Sequence, residues 1–594
     1  MFAFEQFPSL PAMFFARAAA KGDAPFLWAK RDGAWQAASW RETAVEVARL
    51  AAALRRLGAA KGDRVLLVSE NRPEWAIADL AIMTAGAVTV PAYTTNTEQD
   101  HAHVLADSGA NIAIVSGQRL ATPLLAAAVR SDACRQIVAM EPLREAQKGT
   151  LDLREWQTLI EAETADVEAA TAAANALARG DLACLIYTSG TGGAPRGVML
   201  HHGAILHNVE GATEIFVEDF DAGNEHFLSF LPLSHSYEHS GGLFLPIGMG
   251  SEIHFAEGLE KLASNIGEVR PTIMMVVPRL FEAFRQRIIN AIEKEGWLAN
   301  FLLRRALAIG ARRHDGRLHL WDWPMDLVIE RTLRPKVRAR FGGRVKAMVS
   351  GGAPLNPEIG LFFQALGVTI LQGYGQTESA PIVSVNRPKV GIRMDSVGVP
   401  VRNTEVKIAE DGEILARGEM VMQGYWRNPE LSAATVQDGW LHTGDIGHLD
   451  EKGRLVITDR KKDIIVLDKG DNVAPQRVEG MLTLQPEILQ AMVSGDRRPH
   501  LVALIVPDPE WTARWGKEHG KPDGLKDDPD YHRALAGAVD RVNAQLSVIE
   551  KVRRFTLADE PFSVENHQLT PSVKIRRHTI REAYGARLDA LYGK

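Results

Sequence analysis

The chain has 594 residues, of which 46% are hydrophobic and 24% charged, so it is long enough to form at least two globular domains. Its net charge of -6 gives no reason to expect a nucleic-acid partner. Two cysteines, Cys134 and Cys184, are too few for a disulfide framework and lack metal-ligand spacing, which favours a reducing compartment.

The N-terminal segment, residues 1–22, lacks the basic start and the uninterrupted apolar core of a signal peptide. No stretch of the sequence reaches the roughly 18 apolar residues that span a bilayer. We therefore expect a cytoplasmic protein.

Helices and short buried strands alternate along the first part of the chain. Apolar residues at three- and four-residue spacing predict a helix over 40–57, and an apolar run predicts a strand over 64–69. The pattern continues with helices over 73–87 and 100–110 and strands over 87–92 and 111–116. This alternation predicts a mostly parallel sheet that is covered by helices on both faces.

A loop rich in glycine and hydroxyl groups, YTSGTGGAPRGVML, occupies residues 187–200 between two apolar runs. Its small residues let hydroxyl and backbone N–H groups approach an anion, and Arg196 adds a positive charge. These small residues include Thr188, Ser189, Gly190 and Thr191. A Walker-type loop would continue with Lys and Ser or Thr, whereas Val198 follows the glycine here. We therefore predict a phosphate-binding loop of a different kind.

Three further glycine-rich pieces each adjoin an apolar run, at 350–355, 371–378 and 438–447. Each is predicted to be a turn at a strand end, where α/β proteins place their ligands. Tyr374 offers a flat face to a nucleobase, Thr377 a hydroxyl to a phosphate, and Glu378 an oxygen ligand to Mg²⁺. Asp445 can accept two ribose hydroxyls. Taken singly, either carboxylate is more often a solvated surface group, so the ordered set carries the prediction.

Two other segments leave an alternative open. His235 follows a strand-like run in FLSFLPLSHSYEHSGG, and by residue type alone it is more often a buried imidazole than a site residue. Residues 297–325 combine five arginines with three tryptophans, a composition that can bind a membrane interface. The favoured interpretation of this second segment is a packed helical region with solvated arginines.

The loop at 187–200 resembles the signature loop of the adenylate-forming enzymes, whose usual form is Y-T-S-G-T-[ST]-G-x-P-K-G-V. Gly192 replaces the usual Thr or Ser, and Arg196 replaces Lys, which keeps the charge. The L-P-L-x-H element ending at His235 and the segment 270–284 are similar to elements of long-chain acyl-CoA synthetases. The run from DGWLHTGDIG through DRKK resembles the fatty acyl-CoA synthetase signature.

This resemblance implies an α/β fold in two parts. Residues 1–459 would form a large N-terminal domain of several subdomains, with mostly parallel sheets covered by helices. Residues 460–594 would form a small mobile α+β domain, and the charged turn at 459–462 would be the hinge. A polar, turn-rich segment at 507–531 is predicted to be a surface excursion of the small domain.

The resemblance also implies a function: a ligase that uses Mg²⁺ and ATP to activate a medium- or long-chain fatty acid as acyl-AMP, and then transfers the acyl group to CoA. Lys574, Glu378, Thr188 and His235 would be catalytic, Glu378 would hold the metal, and Gly470 would border the pantetheine channel. The nucleotide would be held by Thr188, Ser189, Gly190, Thr191, Arg196, Gly352, Ala353, Pro354, Tyr374, Thr377, Asp445 and Arg460.

Two rival functions stay open at this point. A fatty acyl-AMP ligase would load a carrier protein instead of CoA, but only about 65 residues separate Glu378 from Thr443, which leaves little room for the extra segment of such relatives. A non-catalytic nucleotide-binding protein would be expected to have lost some of the carboxylates and basic residues that this chain retains. Contact with a membrane surface is a further partner left open.

Overall fold

The computed structural model describes residues 4–144, 149–188, 195–521, 525–570 and 575–593. The described chain forms a large α/β part and a smaller C-terminal α+β part, which confirms the predicted fold class. The helices are Leu10–Lys21, Trp40–Arg56, Pro73–Thr84, Glu98–Ser108, Gln118–Ala128, Trp156–Glu161, Val167–Asn175, His202–Phe220, Ser236–Glu238, Leu245–Met249, Leu262–Val269, Pro278–Lys294, Trp297–His314, Asp322–Ala339, Pro357–Ala365, Pro429–Thr435, Pro475–Leu482, Pro509–Glu518, Pro529–Asn543 and Arg577–Ala590.

The first large sheet is mostly parallel and contains the three strands predicted from the N-terminal alternation. An antiparallel hairpin lies at one side of it, because the strands on either side of the phosphate loop pair with each other. In spatial order its strands are Gly424–Tyr425, Arg196–His201, Leu182–Thr188, Val88–Ala92, Arg64–Val68, Ile112–Val115, Gln136–Ala139 and Asp152–Glu155.

The second large sheet has a parallel centre with antiparallel strands at both edges. In spatial order its strands are Val399–Pro400, Ser384–Val385, Ile370–Tyr374, Ala347–Ser350, Ile273–Val276, His226–Ser229, Glu252–Phe255, Pro25–Arg31 and Ala34–Ser39. Because neighbouring central strands are parallel, their carboxyl ends meet at one edge, where the loops after them come together.

The main hydrophobic core contains side chains from both large sheets and from the helices between them. The predicted helix over 40–57 illustrates how the sequence specifies this core. Ser39 accepts a hydrogen bond from the Glu42 backbone N–H at 3.1 Å, and Glu42 reciprocates, so the helix begins in a capping box. Its first residue, Trp40, stacks on Phe26 of the second sheet with 3.6 Å between ring centroids.

A smaller antiparallel sheet follows the two large ones and leads to the C-terminal part. Its strands are Glu405–Ile408, Glu413–Arg417, Trp440–Leu449, Val436–Gln437 and Leu455–Arg460. The C-terminal part contains a three-stranded sheet and a two-stranded ribbon among its described residues. Their strands are Ile488–Ser494, Leu501–Pro507 and Val552–Leu557, and Ile465–Val466 and Asn472–Val473.

Two local predictions need correction. The piece at 438–447 is a turn only at residues 438 and 439, which join the strands Val436–Gln437 and Trp440–Leu449; from residue 440 onward it is strand, and Gly447 falls at a register shift, where the ladder has a bulge. The described residues of the segment 507–531 are mainly helical and not turn-rich, although most of them lie at the surface as predicted. Trp515 and Tyr531 are buried in the C-terminal core, since the polar residues between them occupy the outer faces of the two helices.

Candidate active site

A cleft of about 2670 Å³ opens where the loops after the central strands of the second sheet meet the phosphate-loop hairpin and the C-terminal part. It brings together most of the site residues predicted from the sequence. These are Thr188, Arg196, His235, Gly352, Ala353, Pro354, Tyr374, Thr377, Glu378, Asp445 and Arg460. Ser189, Gly190, Thr191 and Lys574 lie outside the described residues.

Asp445 is held in the cleft by two groups. The Tyr374 hydroxyl donates to one carboxylate oxygen at 2.7 Å, and Arg460 Nε donates to the other at 3.0 Å. Burial, and after it the Asp445 charge, raises the pKa of Tyr374, so this hydroxyl keeps its proton and stays a donor. Each carboxylate oxygen keeps a second lone pair, and Asp445 can therefore accept further hydroxyls while its orientation is fixed.

Glu378 has a tyrosine partner of the same kind. The Tyr425 hydroxyl donates to its Oε1 at 2.7 Å, and the guanidinium of Arg196 lies 5.8 Å from the Tyr425 ring centroid. Tyr425 thus connects the predicted metal ligand to the basic residue of the phosphate loop. Sequence reasoning missed it, because an aromatic residue after a glycine in MQGYW gives no signal of its own.

His235 begins a short helix at the edge of the cleft. Its Nδ1 accepts a hydrogen bond from the Tyr237 backbone N–H at 3.1 Å. Because Nδ1 is an acceptor, the proton of a neutral ring resides on Nε2, which can donate to an anionic group. The alternative of a merely buried imidazole does not describe this position, since His235 lines the cleft.

The chain passes close to the cleft at two glycines. Gly352 has φ +81°, which disfavours any residue with a Cβ. A Cβ built on Gly375 would lie 1.6 Å from the Pro381 carbonyl oxygen. The backbone angle at Gly352 and the close approach at Gly375 explain why the motifs at 350–355 and 371–378 need glycine at these two positions.

The predicted hinge residue Asp459 lies at the end of a strand and lines the same cleft. Burial raises its pKa to about 6, and its Oδ1 accepts the Arg460 backbone N–H at 2.6 Å. Gly470 lies in an exposed loop with φ +86°, and among the described residues it is not one of those that line the cleft. Its role at the pantetheine channel stays a prediction.

Glu238 is a second residue that sequence reasoning did not assign. It lines the cleft three residues after His235, it is 1% exposed, and its Oε1 accepts the Ser229 hydroxyl at 2.6 Å. Burial raises the pKa of this carboxyl from 4.5 to about 8, so it is protonated at neutral pH. A neutral carboxylic acid therefore lies beside the space that runs past His235.

This protonation makes stability depend on pH. A carboxyl whose pKa is raised in the folded state destabilises the fold as pH rises from about 4.5 through about 8. We expect the free energy of unfolding of Glu238→Gln to be higher than that of the wild type at pH 8 to 9, and the difference to disappear near pH 5. Urea unfolding of both proteins across this range measures the difference, and parallel pH profiles would contradict the assignment.

Two protein-family models together match nearly the whole chain. The AMP-binding enzyme family matches residues 14–426, and the AMP-binding enzyme C-terminal domain family matches residues 462–594. Long-chain-fatty-acid–CoA ligase FadD15 of Mycobacterium bovis is 35% identical over 582 residues, which cover 95% of this chain and 93% of that protein. Human long-chain-fatty-acid–CoA ligase 6 is 30% identical over 556 residues, covering 88% and 78%.

The fold is also found among solved structures. The anthranilate CoA ligase AuaEII in complex with anthranoyl-AMP superposes with a TM-score of 0.76 at 22% identity, covering 100% of both chains. The architecture and the sequence matches define an enzyme of the adenylate-forming class. The chain belongs to the AMP-binding enzyme family, and the resemblance drawn from its sequence is confirmed.

Proposed function

We propose that this protein is an ATP-dependent ligase that converts a medium- or long-chain fatty acid to acyl-AMP and then to acyl-CoA. The observation that carries the proposal is 35% identity to a long-chain-fatty-acid–CoA ligase over 95% of this chain. The cleft supports it, because one continuous space reaches from the nucleotide residues past His235 to the apolar side chains of Phe216 and Met275.

The reaction has two steps in this cleft. A carboxylate oxygen of the fatty acid attacks the α-phosphorus of ATP, and pyrophosphate leaves. The sulfur of CoA then attacks the carbonyl carbon of the mixed anhydride, loses its proton, and displaces AMP. Because a carboxylate and a triphosphate repel each other, the first step needs positive charge and alignment from the protein.

The nucleotide is assigned to the residues around the two tyrosine–carboxylate pairs. Asp445, oriented by Tyr374 and Arg460, accepts the ribose hydroxyls. The loop at 351–354 and Tyr374 border the adenine, and Thr188, Thr377 and Arg196 contact the phosphates. The remaining loop residues, Ser189, Gly190 and Thr191, take the same role on the strength of the sequence motif.

The group around Glu378 fits Mg²⁺, because it offers carboxylate and hydroxyl oxygens, which this hard cation prefers. The Tyr425 hydroxyl fixes Oε1 of Glu378 and leaves Oε2 available to the ion. An ion held there by Glu378 would neutralise charge on the phosphate oxygens. His235, with its proton on Nε2, donates to the acyl carboxylate or the adjoining phosphate.

We assign the domain boundary to Asp459. The small domain contacts the large one across the cleft, where the Asn356 side-chain amide donates to the Gly480 carbonyl at 3.3 Å. Leu484 of the small domain also packs against the core of the large one. We propose that these contacts break when the small domain rotates at Asp459, so that Lys574 faces the cleft in one step and the Gly470 loop in the other.

Dependence on CoA tests the proposal against its rival. Purified protein is supplied with ATP, Mg²⁺ and a fatty acid, with or without CoA, and acyl-AMP and acyl-CoA are followed by mass spectrometry. We expect acyl-AMP without CoA, and multiple turnovers to acyl-CoA with it. Acyl-AMP that persists unchanged in the presence of CoA would instead indicate a carrier-loading enzyme.

A membrane surface is proposed as the source of the fatty acid. The connection between the helices Trp297–His314 and Asp322–Ala339 exposes Leu320 (86% exposed) and Trp321 (75%), and the first turn of the second helix exposes Trp323 (65%). Tryptophans favour the headgroup region of a bilayer, and Arg317 beside them attracts anionic lipid. Among the described residues, none of the helices has the length and apolar composition to cross a bilayer.

The arginines of this region fall into two groups. Arg312 pairs with Asp322 through two hydrogen bonds, and Arg313 pairs with Asp326 at 2.6 Å, so both hold the two helices together. Arg304 and Arg305 are exposed on the first helix. A lipid-binding test should therefore replace exposed residues and leave the paired arginines intact.

We expect Trp321→Ser with Trp323→Ser to lower binding to anionic liposomes several-fold, because two interfacial anchors are lost. Sedimentation with vesicles measures this, and activity on a water-soluble short-chain acid should stay at the wild-type level. Val548→Ser, at an exposed apolar residue of the small domain, is the matched control. Equal binding by all three proteins would contradict membrane docking at the tryptophans.

A further inference from the structure

Two histidines and a glutamate converge on the second sheet, away from the active-site cleft. His226 is the first residue of its strand, Glu252 is its register partner on the next strand, and His254 lies two residues after Glu252. The three side chains share one face of the sheet because residues i and i+2 of a strand point the same way. None of the three is among the residues that line the cleft.

The ligand atoms of these side chains are close enough for one metal ion. One atom from each lies within 4.8 Å of the others, and His226 Nδ1 is 3.6 Å from Glu252 Oε2. A tetrahedral Zn²⁺ with bonds of about 2.1 Å holds its ligands about 3.4 Å apart. The His226–Glu252 pair is already close to this spacing, and His254 has to approach the other two by no more than about 1.4 Å.

The state of His254 favours a ligand over a packed ring. It is 6% exposed, and its Nδ1 is buried without a hydrogen-bond partner among the described residues. A buried polar atom left unpaired costs free energy, which a metal bond would recover.

The surroundings supply the outer shell that metal sites need. Trp28 Nε1 donates to Glu252 Oε2 at 2.7 Å, which orients the carboxylate, and the Trp28 ring stacks on His254 with 5.2 Å between centroids. The side chain of His226 is 20% exposed, which provides an entry path and a place for a water as fourth ligand. Two imidazoles and one carboxylate suit Zn²⁺ and related ions, whereas Mg²⁺ prefers oxygen alone.

We propose that His226, Glu252 and His254 form a binding site for a divalent transition metal, with Zn²⁺ as the best fit, separate from the Mg²⁺ site of catalysis. The ion would join the strands His226–Ser229 and Glu252–Phe255 and, through Trp28, the strand Pro25–Arg31. Because it lies outside the cleft, its effect would be on the stability of this sheet and not on the chemistry.

The test is equilibrium dialysis of the full chain against zinc-buffered solutions that contain excess Mg²⁺, followed by metal analysis. Excess Mg²⁺ occupies oxygen sites and leaves a histidine site to Zn²⁺. We expect one Zn²⁺ per wild-type chain and a dissociation constant raised about 100-fold or more by Glu252→Gln or by His254→Asn. Glu252→Gln keeps an oxygen that accepts the Trp28 hydrogen bond, so it separates loss of metal from loss of packing.

His448→Asn, at an exposed histidine of another sheet, is the matched control and should bind Zn²⁺ as the wild type does. The melting temperature of the wild type, but not of Glu252→Gln, should rise with Zn²⁺, because an ion that binds only the folded state stabilises it. Equal zinc binding by the wild type and both site variants, or no zinc retained by the wild type in excess Mg²⁺, would overturn the proposal.

Discussion

Glu378→Gln is expected to lower the rate of acyl-AMP formation by about 100-fold or more. The substitution removes the carboxylate charge that is proposed to hold Mg²⁺ while negative charge shifts between the phosphates. A 100-fold lower rate corresponds to a loss of about 3 kcal/mol of transition-state stabilisation. Glutamine keeps the shape of the side chain and can still accept from Tyr425, so binding of ATP should suffer less. Fatty-acid-dependent pyrophosphate release at saturating ATP measures the effect.

Glu410→Gln, at an exposed glutamate outside the cleft, is the control for a general effect of removing a carboxylate. It should retain the wild-type rate. Raising the Mg²⁺ concentration should restore part of the activity of Glu378→Gln, since weaker binding is compensated by mass action. A near-normal rate for Glu378→Gln at ordinary Mg²⁺ would mean that Glu378 has no part in holding the ion.

Lys574→Ala is expected to lose acyl-AMP formation by two or more powers of ten and to keep thioester formation. An ammonium close to both the carboxylate and the α-phosphate stabilises the transition state of the first step, and deleting one such contact costs about 100- to 1000-fold. In the proposed mechanism the small domain has rotated Lys574 away from the cleft before the second step, so that step should not depend on the ammonium. Supplying prepared acyl-AMP and CoA isolates that step, and its rate should remain close to the wild-type value.

Gly470→Leu should show the reverse pattern, forming acyl-AMP but failing to transfer it, because the side chain would block the thiol. Leucine at φ +86° also strains the backbone, so Gly520→Leu, at another exposed glycine of the small domain with φ +64°, is the control for strain. If Lys574→Ala loses activity equally in both steps, the result would contradict the proposal that the small domain rotates and presents a different face to the cleft in each step.

The sequence predicts residues within a motif better than contacts between motifs. Glu378 and Asp445 can be found because glycines and apolar runs flank them at strand ends. Their partners cannot: Tyr425 lies 47 residues from Glu378, and Tyr374 lies 71 residues from Asp445. Which tyrosine reaches which carboxylate depends on how the sheets pack, and no local pattern records that.

The wrong local predictions have physical causes of the same kind. Glycines in 438–447 indicate a turn, but long-range pairing with the strand Glu413–Arg417 holds the segment in a ladder. The polar segment 507–531 hides an amphipathic helix, with Trp511 and Trp515 one turn apart and Asp508 as its N-cap. Tertiary burial of a few aromatic residues outweighs the polar composition around them.

The His226–Glu252–His254 cluster could not be predicted at all, since His226 is 26 residues from Glu252 and the three residues meet only through strand register. The exposed tryptophans were visible as residue types, but the ion pairs of Arg312 and Arg313 decide which basic residues remain for lipid. For the cluster and for the arginines alike, only the positions of the side chains show which residues pair with each other and which are available to a ligand.

The most direct measurement of the central claim is acyl-CoA formation by the purified protein across a series of carboxylic acids from acetate to oleate, together with an aromatic acid. The assay contains ATP, Mg²⁺ and CoA, and it compares kcat/KM for each acid by pyrophosphate release and by thioester product. The account predicts that kcat/KM rises with chain length into the medium- or long-chain range and depends on CoA for turnover. A maximum at acetate or at the aromatic acid would contradict it.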